Sequence, residues 1–262
     1  MQPISLDEMQ AVRLMNRIDS KFVTTVDNIR LLLEAMEHTH RIQEIDGMHN
    51  MPYSTTYYDT PSADMYYQHH RGKKTRQKVR TRIYEGSMTV PFLEIKHKNN
   101  KGRTKKKRVL MEENTDINGY ASFLQENSYY EAEGLEPRIR NHFYRITLVN
   151  NELTERITID TGLEFHNLKT GITRELGNIG IIEWKRDGRA SGSTFGKLLR
   201  TLRIRQGSFS KYVIGMALTD PSLPQGRLKP RLRHYNKFLP QTDQHQEPGI
   251  VGDVPFVVNP SS

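Results

Sequence analysis

No cysteine occurs in the chain, which removes disulfides, thiolate nucleophiles and cysteine-ligated zinc from consideration. Long apolar runs are missing too. No stretch approaches the ~18 residues that span a bilayer, and the opening MQPISLDEMQAVR lacks the apolar core of a signal peptide. The expectation is a soluble, cytoplasmic protein. There is no GxxxxGK[ST] phosphate loop, no kinase-like HRD or DFG, and no GxSxG elbow. The 10 histidines fall at no metal-ligand spacing, and the adjacent His69 and His70 read as loop residues. Hydrophobic residues make up 35 % and mean hydropathy is −0.71, so the core of this 262-residue chain is modest.

Positive charge is abundant. Lys and Arg number 39 against 30 Asp and Glu, a net +9, which favours anionic partners: nucleic acid, phosphorylated metabolites or lipid. The cations are patterned. In RQKVRTRIY, Arg76, Lys78, Arg80, Arg82 and Tyr84 share one parity, so a strand here points all of them to one face. Such a row repels itself unless a polyanion lies along it. FLEIKHK places Glu94 and Lys96 on one parity, IIEWK does the same with Glu183 and Lys185, and RIDSKF with Asp19 and Lys21. An acid-x-Lys pair in a strand sets the two groups about 6–7 Å apart on one face. Facing inward, each offers a cation to phosphate and a carboxylate to Mg²⁺ or Mn²⁺, making Glu94 and Glu183 candidate metal ligands. A salt-bridged solvent face is the bland alternative. KGRTKKKRV adds Lys106 and Arg108 on even parity; a surface nucleic-acid patch is its alternative.

Strands are expected at Arg17 to Thr24, in STTYYDT, at Arg76 to Glu85, Pro91 to Lys98 and Thr104 to Met111, and in HFYRITLVN, ERITIDTGL and IGIIEWKR. Gly86-Ser87 and the tract ending at Gly102 read as hairpin turns. Helices are expected after Asp27 as cap, around Tyr120 to Leu124, after Ser193, and in KYVIGMALT after Ser208 or Ser210. A Ser and a Lys opening a helix, as Ser210-Lys211 do, suit a phosphate clamp. From Asp220 the proline-punctuated composition predicts an extended or disordered tail, with VPFVV near the end as a docking strand. The expected fold is α+β: an antiparallel, meandering β-barrel of about eight strands with helices outside, formed by residues 1–218, and a basic tail over 219–262.

These pieces, RIDSKF, YYDTP, KVRTRIY, FLEIKHK with KGRTKKKR, FYRITL with ERITIDTGL, IIEWK and SFSKYVIG, occur in an order that resembles the VTC domain of polyphosphate polymerases, in the triphosphate tunnel metalloenzyme superfamily. The resemblance covers roughly residues 13–218. It implies a basic tunnel that binds ATP by its phosphates with Mn²⁺ or Mg²⁺ and extends a polyphosphate chain. It also implies roles for residues. Lys21, Lys96 and Lys106 look like tunnel lysines, Arg80 and Arg82 like the paired triphosphate-binding arginines, and Arg145 and Arg156 like the arginines of the later strands. Glu183 looks like the metal-binding glutamate, and Ser210 with Lys211 like the clamp at the reaction centre. Lys78, Arg108 and Lys185 join the substrate wall by parity. The catalytic set is then Lys211, Arg80, Arg82 and Lys96. One departure is visible: the triphosphatase branch opens Glu-x-Glu-x-Lys, whereas this chain reads Arg17-x-Asp19-x-Lys21, which points away from a two-metal hydrolase.

The expected activity is transfer of the terminal phosphoryl group of ATP to a polyphosphate chain, without nucleic acid as partner and with any membrane partner a separate protein. Three alternatives stay open: a triphosphatase of the same fold, a catalytically silent sensor of polyphosphate or inositol phosphates, and a nucleic-acid-binding module.

Overall fold

A computed structural model describes residues 1–10, 17–84, 88–101, 103–113, 115–188 and 192–238. The elements in order are β1 (Gln2–Ile4), α1 (Leu6–Gln10), β2 (Arg17–Thr25), α2 (Val26–Ala35), β3 (His40–Gln43), β4 (Met51–Asp59), α3 (Asp64–His70), β5 (Arg76–Tyr84), β6 (Met88–Lys98), β7 (Thr104–Leu110), α4 (Ala121–Asn127), β8 (Glu136–Asn150), β9 (Glu155–Asn167), β10 (Thr173–Leu176), β11 (Ile179–Asp187), α5 (Thr194–Thr201), β12 (Gln206–Gly207), α6 (Lys211–Thr219) and α7 (Lys229–Asn236).

One sheet runs β12-β2-β11-β9-β8-β4-β5-β6-β7, with β10 on β9 and β3 bridging β8 to β1. Every ladder is antiparallel except β1–β3. The expected α+β class holds, and two details differ from expectation. The strands are not a simple meander, since β2 pairs with β11 and β4 with β8. Nor is the barrel closed by hydrogen bonds: among the described residues the path ends at β7 on one side and β12 on the other. The edge strand β7 is almost wholly exposed and rich in lysine, a composition that discourages further strand pairing.

Period-two alternation gives the sheet two unlike faces. On the convex face, Phe22, Ile157, Ile182 and Trp184 pack beneath α2 and α5, and Val79, Leu93 and Ile95 join the core with residues of α3 and α4. Trp184 therefore packs outward, as its parity requires, and its Nε1 donates to Glu155 at 2.5 Å. The cap of α2 is Thr25, whose hydroxyl accepts from Asn28 N at 3.3 Å, rather than Asp27, which lies in the first turn. His69 and His70 form the last turn of α3 instead of a loop.

α6 is buried along nearly its whole length, from Tyr212 to Ala217, as a helix apolar all round should be. A Cβ on Gly215 would sit 2.6 Å from Phe165 and 2.7 Å from Ile139, so only glycine allows this approach to β8 and β9. The tail expectation fails at residues 229–236, which are helical. Leu228, Leu232 and Tyr235 are buried in the main core, and Pro230 occupies the first turn, where its missing N–H costs nothing. VPFVV, Gly86-Ser87 and Gly102 lie outside the described residues.

Candidate functional site

The other parity of each long strand supplies the concave face. β5 contributes Lys78, Arg80 and Arg82; β6 contributes Glu94 and Lys96 opposite them; β7 contributes Lys106 and Arg108 opposite Lys96 and Glu94. Across the sheet, Lys21 on β2 faces Glu183 on β11, Asp19 faces Lys185, and Lys185 in turn faces Arg156 on β9. Arg145 on β8 faces Asp160 on β9.

Carboxylates on this face sit at the centres of ion clusters. Glu183 accepts from Lys21 Nζ at 2.6 Å and pairs with Lys185 at 3.0 Å. Burial alone would raise its pKa, but the two lysines hold it far below the usual carboxylate range. Glu94, 1 % exposed, accepts from Arg80 Nε at 2.7 Å and from Lys106 Nζ at 3.2 Å; burial is outweighed by Arg80, Arg82 and Lys106, and it titrates at about 2. Asp160 holds Arg145 through two bonds, 2.6 Å from Nε and 2.8 Å from Nη2, and also pairs with Lys211. Burial opposes ionisation there too, and Arg145 with Lys211 keeps it ionised.

A second group of cations has no such counter-charge. Among the described residues no carboxylate forms an ion pair with Lys78, Arg82, Lys96 or Arg108. Arg82 donates to Thr55 Oγ1 at 3.2 Å, and Arg108 lies over the Phe92 ring at 4.9 Å. The cost appears in the proton affinities of Lys78, Lys96 and Arg82. Burial and then Arg76 and Arg80 bring Lys78 down to about 7. Arg80, followed by burial and Arg82, pushes Lys96 well below its ordinary value. Burial, Arg80 and Arg145 lower Arg82 to about 10.

The N-terminus of α6 points into this field. Ser210 caps it, accepting from Val213 N at 3.3 Å, and also accepts from Lys78 Nζ at 2.8 Å. Lys211 lies 4.1 Å from the centre of the Phe143 ring, and burial lowers its pKa to about 8 against the pull of Asp160. Asp59 fixes the helix beside it: it accepts from Tyr212 Oη and from the backbone N–H groups of Met65 and Tyr66 at 2.9 and 3.0 Å.

The structure thus gathers Lys21, Lys78, Arg80, Arg82, Glu94, Lys96, Lys106, Arg108, Arg145, Glu183, Lys185, Ser210 and Lys211 on one face. Arg156 sits on it apart from Arg145: its partner across the β8–β9 ladder is Val149. Sequence reasoning missed Asp160 and Asp59. Asp160 shares the parity of Arg156 in ERITID, which was the available signal. Asp59 stands in YYDTP with only its context to mark it.

A model of the VTC domain matches residues 16–219. The chain belongs to the VTC domain family. No curated protein matches it. Solved structures similar to this VTC chain include a candidate adenylate cyclase from Bacillus halodurans (12 % identity, 75 % of this chain and 96 % of that one, TM-score 0.48). A candidate adenylyl cyclase from Hippeastrum with a dominant triphosphatase activity is another (14 %, 80 % and 99 %, 0.45), as is the Mimivirus capping enzyme triphosphatase (10 %, 76 % and 94 %, 0.37).

The VTC resemblance implies a divalent metal, and the donor set decides where one fits. No cluster of three or more Asp, Glu or His side chains suited to a metal occurs among the described residues. Glu183 suits a shared site: it is a quarter exposed, and its lysines can turn to phosphate while it joins phosphate oxygens around a hard cation. Glu94 does not, because both of its oxygens are committed to Arg80 and Lys106 in a buried cluster. No helix among the described residues is long and apolar enough to cross a membrane.

Proposed function

We propose that this VTC protein is a polyphosphate polymerase that transfers the terminal phosphoryl group of ATP to a phosphate chain. One observation carries the reading: the concave wall holds buried Arg82 and half-buried Lys78 and Lys96, continued by exposed Arg108, without carboxylate ion pairs among the described residues. Leaving such charges unmatched is costly in the free protein, and a phosphate chain supplies what they lack. Membership in the VTC family supports an enzyme acting on triphosphates.

In this reading Arg80, Arg82, Lys96 and Lys106 hold the triphosphate, and Lys21 with Lys185 turns from Glu183 to phosphate oxygens. Glu183 would hold a divalent ion, which would supply positive charge against the repulsion between adjacent phosphate groups. The acceptor is a terminal phosphate oxygen, already ionised, so no general base is required. Its bond to the γ-phosphorus forms as the bond from that phosphorus to the β–γ bridging oxygen breaks, and ADP leaves with the electron pair. Lys211, placed by Asp160, neutralises charge that spreads over the transferring group.

The test is purified protein with ATP, Mn²⁺ and a pyrophosphate primer, assayed for chains and for free phosphate. Long chains with stoichiometric ADP are expected. Free phosphate without chains would reassign the site to a triphosphatase, and no turnover would make it a phosphate-chain sensor.

A further inference from the structure

The cationic row does not stop at the triphosphate wall. From Arg82 through Arg80 and Lys78 it reaches Arg76, a distance of about 20 Å along a strand, and three phosphoryl groups joined by two oxygens fall well short of that. Arg76 pairs across the ladder with Lys98, which continues the parity of Glu94 and Lys96. Arg76 Nη1 donates to Lys73 O at 2.6 Å, and neither Arg76 nor Lys98 has an ion-pair partner among the described residues.

A third cation reaches this end from outside the matched stretch. α7 lies beyond residue 219, where the family match stops. Its seat is defined by contacts. Leu228, Leu232 and Tyr235 are buried, Tyr235 Oη donates to Ser208 O at 2.9 Å, and its ring lies 5.3 Å from that of Phe209. α7 therefore packs beside the loop that leads into Ser210. Arg227 Nη1 donates to Arg71 O at 2.6 Å, tying the approach to α7 to the end of α3. Arg231, one turn before Tyr235, stays exposed. Arg227 N also lies 3.4 Å from His70 Nε2, and Arg76 is tied to Lys73, two residues past Arg71, so the approach to α7 and the start of β5 meet at the end of α3. Burial, then the charges of Lys78, Arg76, Arg231 and Lys98, lowers the pKa of the neighbouring His69 to about 2. The Nδ1 of His69 is buried without a partner.

We propose that Arg76, Lys98 and Arg231 form a subsite for the part of a polyphosphate chain that extends past the N-terminus of α6, beyond the triphosphate. The subsite rests on the reading of the concave face as a phosphate binder and adds to it a reason for this chain to prefer long anions. α7 is the device: its apolar side is spent on the core, and the arginine between its buried positions is delivered to the exit of the cationic row.

The experiment compares tripolyphosphate with long-chain polyphosphate by titration calorimetry over a series of salt concentrations, using the full chain. For the double variant Lys98→Ser and Arg231→Ser, long-chain affinity is expected to fall about tenfold and its log–log salt slope to flatten by about two, one per lost phosphate contact. Tripolyphosphate should bind as to wild type. Arg231→Lys, alone, should keep the slope, which guards against a misfolded variant. Unchanged long-chain binding, or an equal loss for both ligands, would overturn the subsite. So would wild-type protein that prefers single-stranded RNA of equal charge to polyphosphate. If wild type bound tripolyphosphate and not the longer chain more tightly, the subsite alone would fail; if it bound neither, the phosphate-binding reading would fail with it.

Discussion

The concave face has two halves built on opposite electrostatic terms. On β2, β8, β9 and β11, Glu183 and Asp160 match Lys21, Lys185, Arg145 and Lys211. On β5, β6 and β7, Glu94 matches Arg80 and Lys106, while Lys78, Arg82, Lys96 and Arg108 have no carboxylate partner among the described residues. Matched cations are held in place before any ligand arrives. Unmatched ones are destabilised in the free protein and gain when an anion enters. One half positions, the other attracts, and α6 delivers Lys211 where they meet.

The largest effect should come from breaking the match inside the attracting half. Glu94→Leu strands Arg80 and adds to the unmatched charge, and a loss of about 3–5 kcal/mol in urea unfolding is expected. Lys211→Ala should lower turnover about 10²–10³-fold with KM for ATP little changed, since it removes stabilisation needed only as charge shifts; an equal rise in KM would make Lys211 a simple binding residue. Arg82→Ala should weaken tripolyphosphate by about 1.5–3 kcal/mol, the scale of a charge-assisted contact.

The contrast sharpens with pH. Lys78 near 7 and Lys211 near 8 are bases with lowered values, charged below those values and neutral above. A phosphate chain favours their charged forms, so tripolyphosphate affinity should fall as pH rises from 6 to 9, with proton uptake on binding. Smaller still, Lys96→Met should raise the stability of the free protein by about 1 kcal/mol while weakening the ligand, because it removes an unmatched, half-buried charge. Lys106→Ala, at a side chain 44 % exposed, should cost under about 1 kcal/mol of stability.

Parity made much of this face legible from residues alone. RQKVRTRIY, FLEIKHK and IIEWK each carry their inward set in a period of two, a local property that survives without knowledge of partners. What was not legible depended on distant chain. Asp160 becomes a clamp only because α6 brings Lys211 to it from a segment 51 residues away. The open edges at β7 and β12, where a barrel was expected, could not be read because whether two end strands pair with each other is a non-local property. α7 was hidden by composition: prolines suggested an extended tail, although Leu228, Leu232 and Tyr235 stand at helical spacing and Pro230 lies in the first turn. Asp27 lost the cap of α2 to Thr25 because both residues suit that role and only the backbone's exit from β2 decides between them.

The most direct test of the two-halves account is titration of tripolyphosphate into wild type and into the double variant Arg82→Ala and Lys96→Ala at pH 8, in two buffers of different ionisation enthalpy. Wild type should bind with net proton uptake, and the variant should lose most of the affinity while Lys78 and Lys211 still take up protons in whatever binding remains. Binding of equal strength by the two proteins, or binding by wild type with no proton exchanged, would contradict it.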